Sequence, residues 1–517
     1  MSSVVMDERA GARVLEKRTN TRVYLVAALC SVLLTLWMVA TSDAINPDGL
    51  CYLQSAEVMG QGLSAAMHLC GQAQWPFYSI LIYGFAKWTS LSYLLSAYFL
   101  NGVFSLLSVL FFVRITAALT SSRRILWLAA AVILLPHHFN SLRPDIIRDH
   151  GFWAFYLGSL FFFLQYLRNR NKRWLYAAAW NISIVMATLF RIEGAIFLML
   201  LPFAVWFDAR ESVVTRLKLF LQLSSLTFLV TASLLMYLIL HPGQQMGRLG
   251  ELQFQLTQGM SNLIHHFQSH ADALGQHVLS EYSARDASLV LLVMLVGWYL
   301  ISAAINISLV YAVLVCYAWR NKVATLDESA RIALWGYVFI NVLITAIFLA
   351  DNLFLTKRYL TALSLVLMLW VPFALNSLMS QWGERKWPII LTGIFVAYYA
   401  IGGIVDFGYS KHYLRDASEW LAVNTPSHAK IYTNDYQILY YAGRGDAAIY
   451  AKNKELSTFD SIADGKWHQY DYLVLQLNQR KLNEYASLLR ELHRDPVVIY
   501  KNTRDDQVRI YQLHDSV

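Results

Sequence analysis

The chain has 517 residues, of which 57% are hydrophobic and only 15% are charged. Soluble globular domains carry roughly 25% charged residues, so this balance excludes an ordinary soluble enzyme and indicates a polytopic membrane protein. The net charge of +8 does not call for nucleic acid, because basic cytoplasmic loops account for it in such a protein.

The N-terminal segment, Met1 to Arg22, is polar and basic, with Arg9, Arg13, Lys17, Arg18 and Arg22. The apolar run 23–40 follows. A run of about 18 apolar residues is long enough to stay in the bilayer and longer than the core of a cleaved signal peptide. Basic breaks then fall at 114–124, 168–173, 208–218, 320–331 and 383–387. The positive-inside bias places all five in the cytoplasm with the N-terminus. The breaks at 41–75, 137–150, 191–193, 241–287 and 351–358, and everything after about 406, then lie outside.

This alternation predicts about eleven spans, near 22–40, 76–113, 125–137, 151–167, 174–190, 194–207, 219–240, 288–319, 332–350, 359–380 and 388–405. The 76–113 run is too long for one simple helix, and its first part, Trp75 to Thr89, is expected as a separate interfacial or re-entrant helix. The 194–207 run is short for a span. From about Phe407 the composition becomes that of a soluble protein. K-I-Y-T-N-D, D-Y-L-V-L-Q-L, P-V-V-I-Y and Q-V-R-I-Y-Q-L read as strands, and N-E-Y-A-S-L-L-R-E-L-H as an amphipathic helix. The expected class is mainly α: a polytopic transmembrane helical bundle over 1–406, followed by an extracytoplasmic α/β domain over 407–517.

The chemistry-bearing residues cluster in the expected external breaks. Loop 41–75 carries three acids, Asp43, Asp48 and Glu57, and two of the four cysteines, Cys51 and Cys70. In an oxidising compartment these two can bridge, or they can stay as separate thiols, and spacing does not decide between the two. Cys30 and Cys316 fall in apolar spans. Arg143, Arg148, Arg191, Lys357 and Arg358 run against the positive-inside bias and are candidates for holding a phosphate, with headgroup snorkelling as the plainer alternative. Asp149 and Glu193 are further acidic candidates, and Arg191 and Glu193 are close enough in sequence to pair. Loop 241–287 holds His241, His265, His266, His270 and His277. His266 and His270 have the i, i+4 spacing of a metal pair, but the H-E-x-x-H pattern is absent, so a helical lid is the favoured reading.

The segments P-D-G-L-C-Y-L-Q-S-A (47–56), W-P-F-Y-S-I-L-I (75–82), R-I-E-G (191–194) and K-R-Y-L-T-A-L (357–363) follow one another on the expected outer side. In order, sidedness and spacing the chain resembles the integral-membrane glycosyltransferases of the C superfold (GT-C). Among them it is most similar to the bacterial relatives of protein O-mannosyltransferases and to the lipid A aminoarabinose transferase. The resemblance covers most of the chain, including the Y-L-R-D-A-S-E-W-L opening of the terminal region.

The resemblance implies a catalytic base in the first external loop, in the pattern acid-x-x-x-Tyr, which falls here on Asp48 and Tyr52. Family members often carry a second acid directly after the first. This chain has Gly49 there, so a paired-acid metal site is not carried over, and a divalent metal stays open as a cofactor. Arg358 matches an Arg-Tyr at the start of a late span and is the implied phosphate contact, with Lys357, Arg143, Arg148 and Arg191 as helpers. One carboxylate is sufficient for an inverting transfer, because a phosphate leaves as a stable anion without an acid. The plainer reading of Asp48 is turn and helix-start chemistry in P-D-G.

The expectation is a multi-pass enzyme of a bacterial inner membrane, with its N-terminus cytoplasmic and its terminal domain periplasmic. It takes a polyprenyl-phosphate-linked sugar as donor and a glycolipid, polysaccharide or protein as acceptor. The rivals are a transporter or flippase of a lipid-linked sugar and a non-catalytic scaffold; no internal repeat favours the transporter.

Overall fold

The computed structural model describes residues 2–240, 248–382, 401–405, 408–492 and 494–514, with the single positions 387, 394 and 398. Six helices among these residues are long and apolar enough to cross a membrane: Thr21–Ala40, Tyr93–Leu119, Val213–Ser233, Ala284–Ile307, Glu328–Asn352 and Lys357–Gln381. About eleven were expected. The 76–113 run is divided at Ser90 (φ 60°) into Phe77–Thr89 and Tyr93–Leu119. The 288–319 run is divided at Ser308 (φ 81°) into Ala287–Ile307 and the shorter Leu309–Arg320. Residues 125–137 give only the 12-residue helix Arg123–Leu134, and 194–207 becomes Gly194–Leu200 with a tighter 3₁₀ continuation, Leu201–Phe207. The expected span 388–405, the break 383–387 and His241 lie almost entirely outside the described residues.

The chain divides into two compact units. The first comprises Met1–Leu36, Asn101–Arg143 and Arg148–Val405, and the second Trp37–Leu100, Pro144–Ile147 and Asp406–Val517.

The first unit is helical around the paired helices Asp149–Arg168 and Arg173–Phe190. Both are rich in large aromatic side chains, and their inner faces build an aromatic core. Tyr156 lies edge-on to Phe197 and to Tyr337, each at 5.3 Å. The hydroxyls in this core are all served from within, as a membrane interior requires. Tyr337 Oη pairs with Ser159 Oγ at 2.8 Å and accepts from Trp180 Nε1 at 3.2 Å, and Asn341 Nδ2 donates to Tyr156 Oη.

The polar breaks of this unit sort into two groups. At one end Arg168 pairs with Asp327, Arg173 with Glu211, and the Ala209 N–H donates to Glu328. This brings together the breaks expected to share the cytoplasm. At the other end Arg191 meets Asp149 and the ring of Tyr359, and His266 on the Arg248–His277 helix meets Asp351 at 3.0 Å. Those breaks were all expected outside.

The second unit contains a four-stranded sheet made of β1 (Ile431–Thr433), β2 (Tyr472–Leu477), β3 (Val498–Lys501) and β4 (Gln507–Gln512), in the order β1-β2-β4-β3. β1 and β2 are parallel, with Ile431 opposite Tyr472; the other pairs are antiparallel, with Leu477 opposite Gln507 and Val498 opposite Ile510. β2 is buried on both faces, which is why it reads as a continuous apolar run. One face packs Val474, Val508 and Ile510 against Tyr413, Leu414, Ala417 and Leu421 of the helix His412–Asn424. The other packs Leu473, Leu475, Leu477 and Tyr511 against Ile462, Trp467 and Tyr485. The single helix expected at 483–493 is two short ones, Gln479–Glu484 and Ala486–Glu491, on either side of the buried Tyr485.

Candidate functional site

The loop that follows the first span folds within the second unit. Asn46 precedes the helix Pro47–Val58, with Pro47 at its first position, where a missing N–H costs nothing. Asp48 therefore stands in the first turn, where the helix dipole favours a negative charge. It does not cap the helix. The Asn46 side chain is not a cap either: it joins the helix start to the short segment Pro144–Ile147. Asn46 Oδ1 accepts the Ile146 N–H at 2.7 Å, and Asn46 Nδ2 donates to the Ile146 carbonyl at 3.3 Å.

This junction explains Gly49. A Cβ there would lie 2.7 Å from Asn46 Oδ1, 2.9 Å from Ile146 Cβ and 3.0 Å from Ile45 Cγ2. The position where the resemblance would put a second acid has no space for any side chain. Gly49→Asp is expected to destabilise the protein by about 1–3 kcal/mol through overpacking and to add no metal requirement. Thermal unfolding in detergent, with and without divalent cations, checks this.

Asp48 Oδ1 accepts a hydrogen bond from Gln72 Nε2 at 2.9 Å. Cys51, one turn along the same helix, is joined to Cys70 by a disulfide with a Cα–Cα distance of 6.1 Å. The bridge and Ala73 form a small buried cluster against which Leu69 and Tyr450 pack. Burial, and then the charge of Asp48, push the Tyr450 phenol up to about 12. Tyr52 lies four residues after Asp48 but is buried, edge-on to Tyr78 at 5.1 Å, and so serves the packing beneath the loop.

The other two loop acids have different surroundings. Asp43 accepts the Lys411 N–H at 2.7 Å and pairs with His412 at 3.0 Å, at the start of the helix His412–Asn424. Glu57 is exposed at the end of its helix turn. Partial burial, reinforced by the charge of Asp446, raises its carboxyl above the ordinary value.

The candidates in the first unit form their own polar cluster. Arg191 is buried between Asp149 and Glu193, donating to both carboxylates, with the Tyr359 ring 4.7 Å from its guanidinium carbon. Burial alone would raise the Glu193 carboxyl. The charge and hydrogen bond of Arg191, with help from the charge of Arg148, outweigh that and bring it from 4.5 to about 2. A depressed carboxyl contributes stability that is fully present above its unfolded value and lost as pH falls through the folded one. The melting temperature is therefore expected to fall between pH 4.5 and about 2, and Glu193→Gln should flatten that part of the profile.

Arg143 is fully buried. Its guanidinium donates to Asn140 Oδ1 at 2.9 Å, to Ser31 Oγ at 3.2 Å and to Thr35 Oγ1 at 2.8 Å, tying the 137–143 connector to the first helix. Arg148 is half-buried, with one Nη that has no hydrogen-bond partner among the described residues. Lys357 and Arg358 open the helix Lys357–Leu367. Cations are disfavoured at that end by the helix dipole, and the buried Thr356 hydroxyl before it has no partner among the described residues. Two cations, helix N–H groups and a hydroxyl in one turn have the chemistry of an anion site.

Among the described residues no three His, Cys, Asp or Glu side chains gather as metal ligands, and the loop histidines lie along the Arg248–His277 helix without forming such a set. Gln72, Asn46, Tyr450 and Tyr359 were not anticipated from the sequence. Only Tyr359 had a signal there, as the Tyr of K-R-Y-L.

No family model and no curated protein matches the sequence. Solved structures do match. One is the oligosaccharyltransferase of Archaeoglobus fulgidus, tethered to an acceptor peptide containing the NVT sequon. The TM-score is 0.53 at 14% identity, covering 95% of this chain and 74% of the other. A second is the oligosaccharyltransferase AglB of the same organism with an inhibitory peptide and a dolichol-phosphate, with TM-score 0.52, 14% identity, and 94% and 74% covered. The chain has the GT-C fold. ArnT from Cupriavidus metallidurans in the apo state aligns over 97% of this chain and 98% of its own, at 13% identity and a TM-score of 0.40. The GT-C assignment rests on the first two.

Proposed function

We propose that the chain is a membrane glycosyltransferase that moves a sugar from a polyprenyl-phosphate-linked donor to an acceptor on the outer, periplasmic face of a bacterial inner membrane. The observation that carries this reading is a loop acid, Asp48, held by Gln72 in a disulfide-closed turn on a GT-C chain. Support for a lipid-phosphate donor comes from the dolichol-phosphate bound in the AglB structure and from the cationic helix start at Lys357 and Arg358.

In this mechanism Asp48 takes the proton from an acceptor hydroxyl as that oxygen attacks the anomeric carbon. The glycosyl–phosphate bond breaks on the opposite face, so the transfer inverts. The polyprenyl phosphate leaves as an anion, and Arg358 with Lys357 holds its charge. Arg148 is a further phosphate contact in this scheme. Arg143 and Arg191 are helpers in this scheme: partners of the chain hold part of each guanidinium, and Arg143 Nη2 and Arg191 Nε have no hydrogen-bond partner among the described residues. The region 407–517, with its four-stranded sheet, is assigned to the extracytoplasmic side in this scheme.

The test is made with purified protein in vesicles supplied with a labelled polyprenyl-phosphate sugar. Covalent transfer to an acceptor supports the assignment. Movement of intact lipid between leaflets without transfer replaces it with a flippase. Mass spectrometry of the glycolipids and glycoproteins lost on deletion then gives the acceptor class.

A further inference from the structure

Asp48 and Gln72 lie 24 residues apart, on separate short helices, yet their side chains meet at 2.9 Å. What closes that distance is covalent. Cys51 follows Asp48 by one turn on the helix Pro47–Val58, and Cys70 immediately precedes the 3₁₀ turn Gly71–Gln74 that carries Gln72. Ala73, next to Gln72, is buried against the bridge. The disulfide thus seats the turn, and the turn presents the amide to the carboxylate.

We propose that Gln72 is the positioning residue for Asp48, and that the Cys51–Cys70 disulfide holds Gln72 in place, so that transfer depends on an oxidised loop. The inference rests on the reading of Asp48 as the base. An aspartate in a first helical turn rotates between several side-chain conformations. A neutral N–H donor on Oδ1 selects one of them and cannot itself take the proton that the carboxylate must accept. Reduction by a dithiol breaks the S–S bond, gives two thiols at Cys51 and Cys70 and leaves the reagent as its own disulfide. The turn then loses its anchor, and the amide loses its fixed distance to Asp48.

The experiment uses the full chain in vesicles. Gln72→Leu is expected to lower kcat roughly 10- to 100-fold, the range of a hydrogen bond to a charged group, with KM for donor and acceptor unchanged. Replacing both Cys51 and Cys70 with Ala should cost a similar factor, and the triple variant should be no worse than either, because both changes act through one contact. Should the cysteine variant fail to fold, treating the folded wild type with a dithiol and then reoxidising it gives the same reading. Activity should fall and return, while Gln72→Leu loses nothing further. Wild-type kcat in Gln72→Leu overturns the inference, as does an equal loss on reduction in Gln72→Leu and wild type. Asp48→Asn in the same assay separates the two levels. If it is inactive while Gln72→Leu is fully active, only the positioning role falls; if it is fully active, the base assignment falls and this inference with it.

Discussion

Replacing Asp48 with Asn is expected to lower sugar transfer by roughly 10²- to 10⁴-fold, the usual contribution of a general base, while the protein stays folded and inserted. The substitution keeps the volume of the side chain in the first turn of Pro47–Val58 and leaves an oxygen for Gln72 Nε2 to donate to. What disappears is the capacity to accept a proton. Initial rates from a labelled donor, beside a melting curve in the same detergent, measure both parts. An unchanged rate would sink the assignment. Neither remaining loop acid is as well prepared to replace it. Asp43 is held by Lys411 and His412, and Glu57 is an exposed side chain at the far end of the Pro47–Val58 helix.

Arg191→Met is expected to cost about 3–5 kcal/mol of stability, because it leaves two carboxylates near one another without their cation. Asp149 is 3% exposed and cannot recover its hydration in place. Met matches the length of the arginine stem, so the loss is one of charge and hydrogen bonding more than of volume. The check is thermal unfolding in detergent, with Arg191→Met/Asp149→Asn as the companion. The double variant should recover part of the loss, since one of the stranded charges is gone. A melting temperature unchanged in Arg191→Met would show that the cluster does not hold these helix ends together.

The sequence carried the broad architecture through simple physics. Basic and non-basic breaks alternate, and the structure gathers Arg168, Asp327, Arg173 and Glu211 at one end of the first unit and Arg191, Asp149 and Tyr359 at the other. The four strands were legible because β-branched and aromatic residues concentrate there between turn signals. The division of 76–113 near Ser90 was legible from the length of that run, whereas the break at Ser308 was not, because it lies at a positive-φ position without a glycine or proline to announce it. Arg143 was read as a phosphate helper from its place in a polar connector, and its contacts with the first helix were not foreseen. Ser31 and Thr35, at i, i+4 spacing within the first apolar helix, were the overlooked sign of a buried cation partner. Gln72 had no local signature, since its contact depends on a closed loop and not on its neighbours in sequence.

The second unit joins chain segments that are made far apart in time. The Ile45 N–H just before the Asp48 helix donates to Tyr441 Oη at 2.6 Å, and Asp43 receives Lys411, from a stretch that emerges about 370–400 residues later. During synthesis the loop is made early, yet its partners arrive only with residues 411–441. A ribosome that stalls before Lys411 leaves a chain with its apolar helices and its loop cysteines but without the scaffold that completes the loop. Completion of the loop's scaffold therefore waits until residues 411–441 have been made.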